Sequence, residues 1–168
     1  MKKTEENLKQ AFAGESQANR RYLAFSKKAE EEGYTQVAKL FKAAAEAETV
    51  HALAHLDALG AVKSTAENLQ DAIDGETHEF TKMYPGMIED AKEEKHTDAL
   101  GSFFKANKVE EIHANLYKKA LESIRSGKDM EEKEIYVCEV CGNTVHEAPD
   151  TCPICGAKKD QFKKIKLI

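Results

Sequence analysis

The feature that most constrains this chain is Glu48-Thr49-Val50-His51, which returns as Glu110-Glu111-Ile112-His113. Both copies lie in runs whose apolar residues recur at three-to-four spacing, the period of a helix with one buried face. Residues three apart on a helix share a face, so each copy aims a carboxylate and an imidazole the same way. Each copy also follows a helical run with carboxylates on its apolar stripe, Glu15 before the first and Glu76 and Glu79 before the second. Taking an ion out of water costs several kcal/mol even after relaxation, so carboxylates kept on inner faces need something positive among them. One Glu from each of two helices plus Glu-x-x-His from each of two others is the ligand set of di-iron and di-manganese carboxylate bundles. The chain has that set with one Glu in excess. Mixed carboxylate and imidazole donors suit iron or manganese, whereas calcium takes oxygen alone and structural zinc prefers thiolate and imidazole.

The periodicity predicts four helices, hence an all-α four-helix bundle. The first covers 4–32, with Leu8, Phe12, Glu15, Ala18, Tyr22 and Ala29 on its stripe and Gly33 at its end. The second runs from Thr35 to about Leu59 and carries Val37, Phe41, Glu48, His51 and His55 inward. The third starts near Thr65 with more than one capping choice, and Pro85-Gly86 is expected to kink or interrupt it. The fourth spans 97–125, with Phe103, Glu110, His113 and Tyr117 inward and Gly127 as its stop. The similar offset between members of the two halves predicts a pseudo-two-fold arrangement. Tyr22 and Tyr84 are candidates to reach the metal site, with simple packing as the alternative. His55 reads as an ordinary partly buried histidine, His78 as solvated, and His96 and His146 as loop residues without a role.

Net charge is −5, and of the 30 Asp and Glu only Glu139, Glu147, Asp150 and Asp160 fall after residue 134. The acid surplus belongs to the helical part, and the absence of a basic stripe argues against nucleic-acid binding. The N-terminus enters charged helix former directly and no apolar run is long enough to span a bilayer, so a cytoplasmic protein with no membrane role is expected.

All four cysteines are gathered as Cys138-Glu139-Val140-Cys141-Gly142 and Cys152-Pro153-Ile154-Cys155-Gly156. Clustered in this way they read as a tetrahedral four-thiolate metal site rather than a disulfide framework. Iron and zinc both fit these ligands, with Tyr136 and Phe162 expected beside the metal. The change of texture near residue 134 divides the chain into 1–134 and 135–168, the second being a small β-rich metal-binding domain.

Ala13-Gly14-Glu15-Ser16, Glu48-Thr49-Val50-His51, Gly75-Glu76-Thr77-His78-Glu79, Met83-Tyr84-Pro85, Glu110-Glu111-Ile112-His113 and the two cysteine knuckles together resemble the rubrerythrins. The resemblance implies a ferritin-like di-iron bundle followed by a rubredoxin-like domain. It further implies two non-haem irons held by Glu15, Glu48, His51, Glu76, Glu79, Glu110 and His113, and one iron on Cys138, Cys141, Cys152 and Cys155. The implied activity is reduction of hydrogen peroxide to water, with electrons that start on a reduced pyridine nucleotide and arrive through rubredoxin or a reductase. An iron that exchanges His51 for Glu79 on oxidation is also implied, and the excess carboxylate gives that exchange a use.

A ferritin-like topology needs a connection along the whole bundle between the second and third helices, about 35 Å for a 24-residue helix. Residues 60–68 reach only about 30 Å. Either those helices are antiparallel neighbours or the two halves come from different chains, and a domain-swapped homodimer is the favoured reading. Two rival functions remain open at this point. One is ferrous oxidation and iron handling by a ferritin-like protein, and the other is a non-enzymatic interaction protein with a structural zinc ribbon.

Overall fold

The computed structural model describes residues 2–167 and, among them, five α-helices, a π turn and a three-stranded sheet. Helix α1 spans Lys3–Glu31 and α2 spans Thr35–Ala58, with Gly33 between them in the left-handed region at φ 85. Helix α3, Thr65–His78, runs without a break into a π turn, Glu79–Met83, and on into α4, Tyr84–Glu93. Helix α5 is Thr97–Arg125. The rod 65–93 therefore replaces the single third helix expected from the sequence, and four helical rods stand where four helices were read.

The break at Pro85-Gly86 takes a different form from the expected kink. The Tyr84 N–H bonds the Glu79 carbonyl five residues back, and Pro85 follows within the first turn of α4. Proline has no N–H to donate and its ring clashes with the carbonyl four residues earlier. One widened turn before the proline absorbs both problems without ending the rod. At the start of the rod the cap is Ser64, one residue before the stretch Thr65–Asn68 in which the sequence offered its choices; its hydroxyl accepts from Glu67 N while the Glu67 carboxylate accepts from Ser64 N, a capping box.

The chain divides into two compact units, Met1–Lys63 and Ser64–Ile168. The first is the α1–α2 hairpin, closed by small residues: Ala18 and Ala29 on α1 and Ala38, Ala45 and Ala52 on α2 are buried. Alanine at these places lets the helix backbones approach closely. In the second unit the rod packs on α5 around Ile73, Ile88, Ala91, Val109, Ala114 and Leu121.

The sheet belongs to the second unit. Its strands are β1 Tyr136–Cys138, β2 Thr144–Val145 and β3 Phe162–Lys164, antiparallel in the order β2-β1-β3. Tyr136 pairs with Val145 on one side and Lys164 on the other, while Cys138 pairs with Phe162. Cys138, Cys152, Ala148 and Phe162 form its small core with Tyr136 packed against it. The all-helical part followed by a small β-rich metal-binding end is the fold class read from the sequence.

Candidate metal centres

In the first unit Glu15 comes from α1, and Glu48 and His51 from α2, with ligand atoms all within 4.8 Å of one another. His51 Nδ1 lies 2.8 Å from Glu48 Oε2, the contact that i, i+3 spacing on a helix provides. Asn19, one turn beyond Glu15, fixes the level of α1 against α2. Its amide donates to the Ala45 carbonyl at 2.7 Å and to Thr49 Oγ1 at 2.8 Å. Tyr22 is half-buried and joins a ring cluster, with centroids 6.3 Å from Phe25 and 6.2 Å from Phe41.

The second unit repeats the pattern. Glu76 from α3 meets Glu110 and His113 from α5, again within 4.8 Å. His113 Nδ1 is 2.8 Å from Glu110 Oε2 and 3.8 Å from Glu76 Oε1. Glu79 opens the π turn and stands outside this trio, although its charge still acts on Glu76. Burial, then the charge and hydrogen bond of Glu110, then the charge of Glu79 push the Glu76 carboxyl up to about 7. Glu79 is raised as well, by burial and Glu110. The Tyr84 phenol is raised by burial and by Glu79, Glu110 and Glu76, and the Tyr117 phenol by burial and by Glu76 and Glu110. Burial leads each of these shifts and the crowded negative charge of the glutamates adds to it, a repulsion that bound cations would relieve.

The third cluster is sulfur. Among the described residues the four cysteines are free thiols, with Cys138 Sγ 3.7 Å from Cys155 Sγ and Cys141 Sγ 3.7 Å from Cys152 Sγ. A disulfide needs about 2 Å. A tetrahedron with metal–sulfur bonds of about 2.3 Å has edges of about 3.8 Å, so the spacing is that of a four-thiolate metal site. Gly142 and Gly156 turn with φ 85 and 77, and their N–H groups bond the Cys138 and Cys152 carbonyls at 2.8 and 2.9 Å. Burial raises the Cys141 and Cys155 thiols, whereas at Cys152 burial is outweighed by the backbone amides of Cys155 and Ile154, which bring the group down to about 7.

The sulfur cluster and the second carboxylate cluster are joined. Thr144 on β2 places Oγ1 2.9 Å from His113 Nε2 and donates its own proton to the Gly142 carbonyl at 3.1 Å. With its proton so committed, the hydroxyl is an acceptor for Nε2–H, which leaves His113 Nδ1 as the nitrogen facing Glu110 and Glu76.

Residues 6–121 match the family model of rubrerythrin, and residues 136–163 match that of the rubrerythrin rubredoxin-like domain. The chain belongs to the rubrerythrin family. Rubrerythrin-2 of Clostridium acetobutylicum is 39% identical over 175 residues that cover 95% of each chain. Nigerythrin of Nitratidesulfovibrio vulgaris is 38% identical over 95% of this chain and 85% of that one. The solved structure of fully reduced, all-ferrous nigerythrin aligns with a TM-score of 0.58 at 33% identity, over 98% of this chain and 88% of that chain. Rubrerythrins carry a di-iron site and a rubredoxin-like four-cysteine site, and the Glu/His clusters and the thiolate tetrahedron supply donors of the right kind for both.

The structure thus gathers Glu15 with Glu48 and His51, Glu76 with Glu110 and His113, and the four cysteines. Tyr84 lies within the field of the second trio. Of the histidines set aside, His96 caps α5 by accepting from Ala99 N and His146 bonds the Glu134 carbonyl. Sequence reasoning missed Thr144, missed Asn19 and gave Tyr117 only a packing role. Tyr117 follows His113 by one helical turn, a spacing that could have flagged it. Thr144 has no such signal, because its contact crosses from one domain type to another.

Proposed function

We propose that this chain is a cytoplasmic peroxidase that reduces hydrogen peroxide to water in defence against oxidative stress. Its electrons start on NAD(P)H and arrive through separate donor proteins, rubredoxin or a reductase. Residues 1–134 carry the reaction and 135–168 relay electrons to it. One observation carries the reading, the hydrogen bond between His113 and Thr144 that ties the thiolate site to the carboxylate cluster. A reaction that consumes two electrons per cycle needs such an inlet, while an iron store or a structural zinc ribbon does not. Among the described residues no helix is long and apolar enough to cross a membrane.

When bound, two ferrous ions at the Glu/His ligands supply the two electrons that, with two protons, convert one peroxide into two waters. The ligand residues hold that charge in place, and Glu79 is a seventh donor within reach of the same field. Tyr84 and Tyr117, both raised above the ordinary phenol, keep their protons and offer neutral hydroxyls at the edge of the carboxylate cluster. Four thiolates saturate a metal and leave peroxide no place to bind, which suits the sulfur site to relay alone.

The test separates the two tasks. A Cys138→Ser chain should be oxidised once by stoichiometric peroxide, seen in its visible spectrum, yet fail to turn over with a reductant. Wild-type steady-state activity in that variant would overturn the division of labour. Absence of visible absorption in purified protein after oxidation with ferricyanide would favour the zinc-ribbon rival.

A further inference from the structure

Among the described residues the one buried polar side chain is Asn143, 1% exposed. It lies between Gly142, which closes the first cysteine knuckle, and Thr144, which opens β2. Its backbone carbonyl accepts from Cys138 N at 2.9 Å, which pins the residue against the sulfur site. Its side-chain amide is turned onto that site, with Nδ2 3.7 Å from Cys152 Sγ. The amide oxygen, Oδ1, is buried as well and has no hydrogen-bond partner among the described residues. A buried amide left half satisfied costs free energy that an apolar side chain of the same shape would avoid. Stability therefore gives no reason for an asparagine here.

The contact with sulfur supplies one. An N–H aimed at a thiolate is a charge-assisted bond, stronger than the same bond to a neutral group. The opposite orientation of the amide would set its oxygen against the sulfur, two acceptors facing each other, so a thiolate at Cys152 selects the end it meets. A ferrous ion on four thiolates carries one negative charge more than a ferric ion on the same four. A donor held against one of those sulfurs favours the ferrous state and so raises the reduction potential, which hydrogen bonds to the sulfurs and solvent exposure help to set. Cys152 is 2% exposed, so little water screens the effect. The amides of Cys155 and Ile154 also bond Cys152, but a backbone amide is present whatever the residue. Asn143 is the donor that the side chain itself supplies.

We propose that Asn143 tunes the reduction potential of the sulfur site, its amide favouring the ferrous, electron-loaded state of the thiolate-bound iron. The residue forms no bond to the metal and moves no proton; it shifts the balance of a one-electron exchange between the donor protein and the carboxylate cluster. Adjacent side chains then serve the two sites, Asn143 at Cys152 and Thr144 at His113. The inference rests on the reading of the four-thiolate site as an iron relay.

Potentiometric titration of the full iron-loaded chain, followed through the visible absorption of the ferric thiolate site, tests it. Asn143→Leu keeps the approximate size of the side chain and removes the donor. At the potential where half of the wild-type sulfur sites are reduced, the variant should hold about ten ferric sites for each ferrous one, a downward shift of about 59 mV for one electron. Asn143→Ala removes the amide without adding bulk and should shift the midpoint in the same direction, which keeps the test open if the leucine variant takes up no iron. A midpoint that is unchanged or higher in a variant with an intact thiolate spectrum would overturn the proposal. Loss of iron from both variants would overturn it as well, since it marks a structural role. Wild-type protein that takes up no iron on its cysteines would instead overturn the relay reading, and the inference with it.

Discussion

The Thr144 hydroxyl is a single donor and acceptor placed between two metal-binding elements. It accepts from His113 Nε2 and donates to the carbonyl of Gly142, the residue after Cys141. Groups that hold the free nitrogen of a ligating imidazole fix its tautomer and its orientation, and losing one costs about 10–100-fold in metal affinity or activity. Thr144→Val should lower bundle iron affinity within that range, while Thr144→Ser, which keeps the hydroxyl, should stay near wild type. Iron titration of the apo protein measures both. The ligands themselves were legible in the sequence because helix periodicity converts i, i+3 spacing directly into a shared face, and because CxxCG knuckles close locally. Thr144 was not, since 31 positions separate it from His113 and only tertiary packing brings them together. Glu79 was legible as a carboxylate on the stripe one helical turn after Glu76, yet it stands outside the trio and acts on Glu76 only through its charge.

At the scale of elements, the rod 65–93 depends on both its start and its interruption. Ser64 and Glu67 satisfy two backbone donors at the N-terminus that would otherwise lack partners. Removing the cap hydroxyl by Ser64→Ala should cost about 1 kcal/mol, or roughly 2–4 °C in melting temperature for a chain of this size. Differential scanning calorimetry reads the shift, and bundle iron should be unaffected because Ser64 lies three turns before Glu76. The helix boundaries were largely readable: Gly33, Gly60 and Gly127 stop α1, α2 and α5 where turn chemistry predicts, each with positive φ. The π turn was not, because Pro85-Gly86 announces a disturbance without saying on which side of the proline the backbone will absorb it.

For the whole molecule, charge links metal binding to stability. An ordinary carboxyl ionises near 4.5, and in the iron-free fold Glu76 is raised to about 7. Between those values the folded state binds more protons than the unfolded, so the contribution of Glu76 is fully present below the lower value and is lost as pH rises through the upper. Iron-free protein should therefore melt at a lower temperature at about pH 8 than at about pH 6, and Glu76→Gln should flatten that difference. Loading with iron should remove it too, because the cations take over from the proton. An unchanged slope in Glu76→Gln would show that the carboxylate cluster does not govern it.

The tight turn after α2 has a kinetic meaning as well. Only residues 59–64 separate α2 from α3, and the hairpin of α1 and α2 forms a compact unit of its own from helices adjacent in sequence. Contacts between near neighbours along the chain close small loops at little entropic cost, so the hairpin is expected to form early and fast.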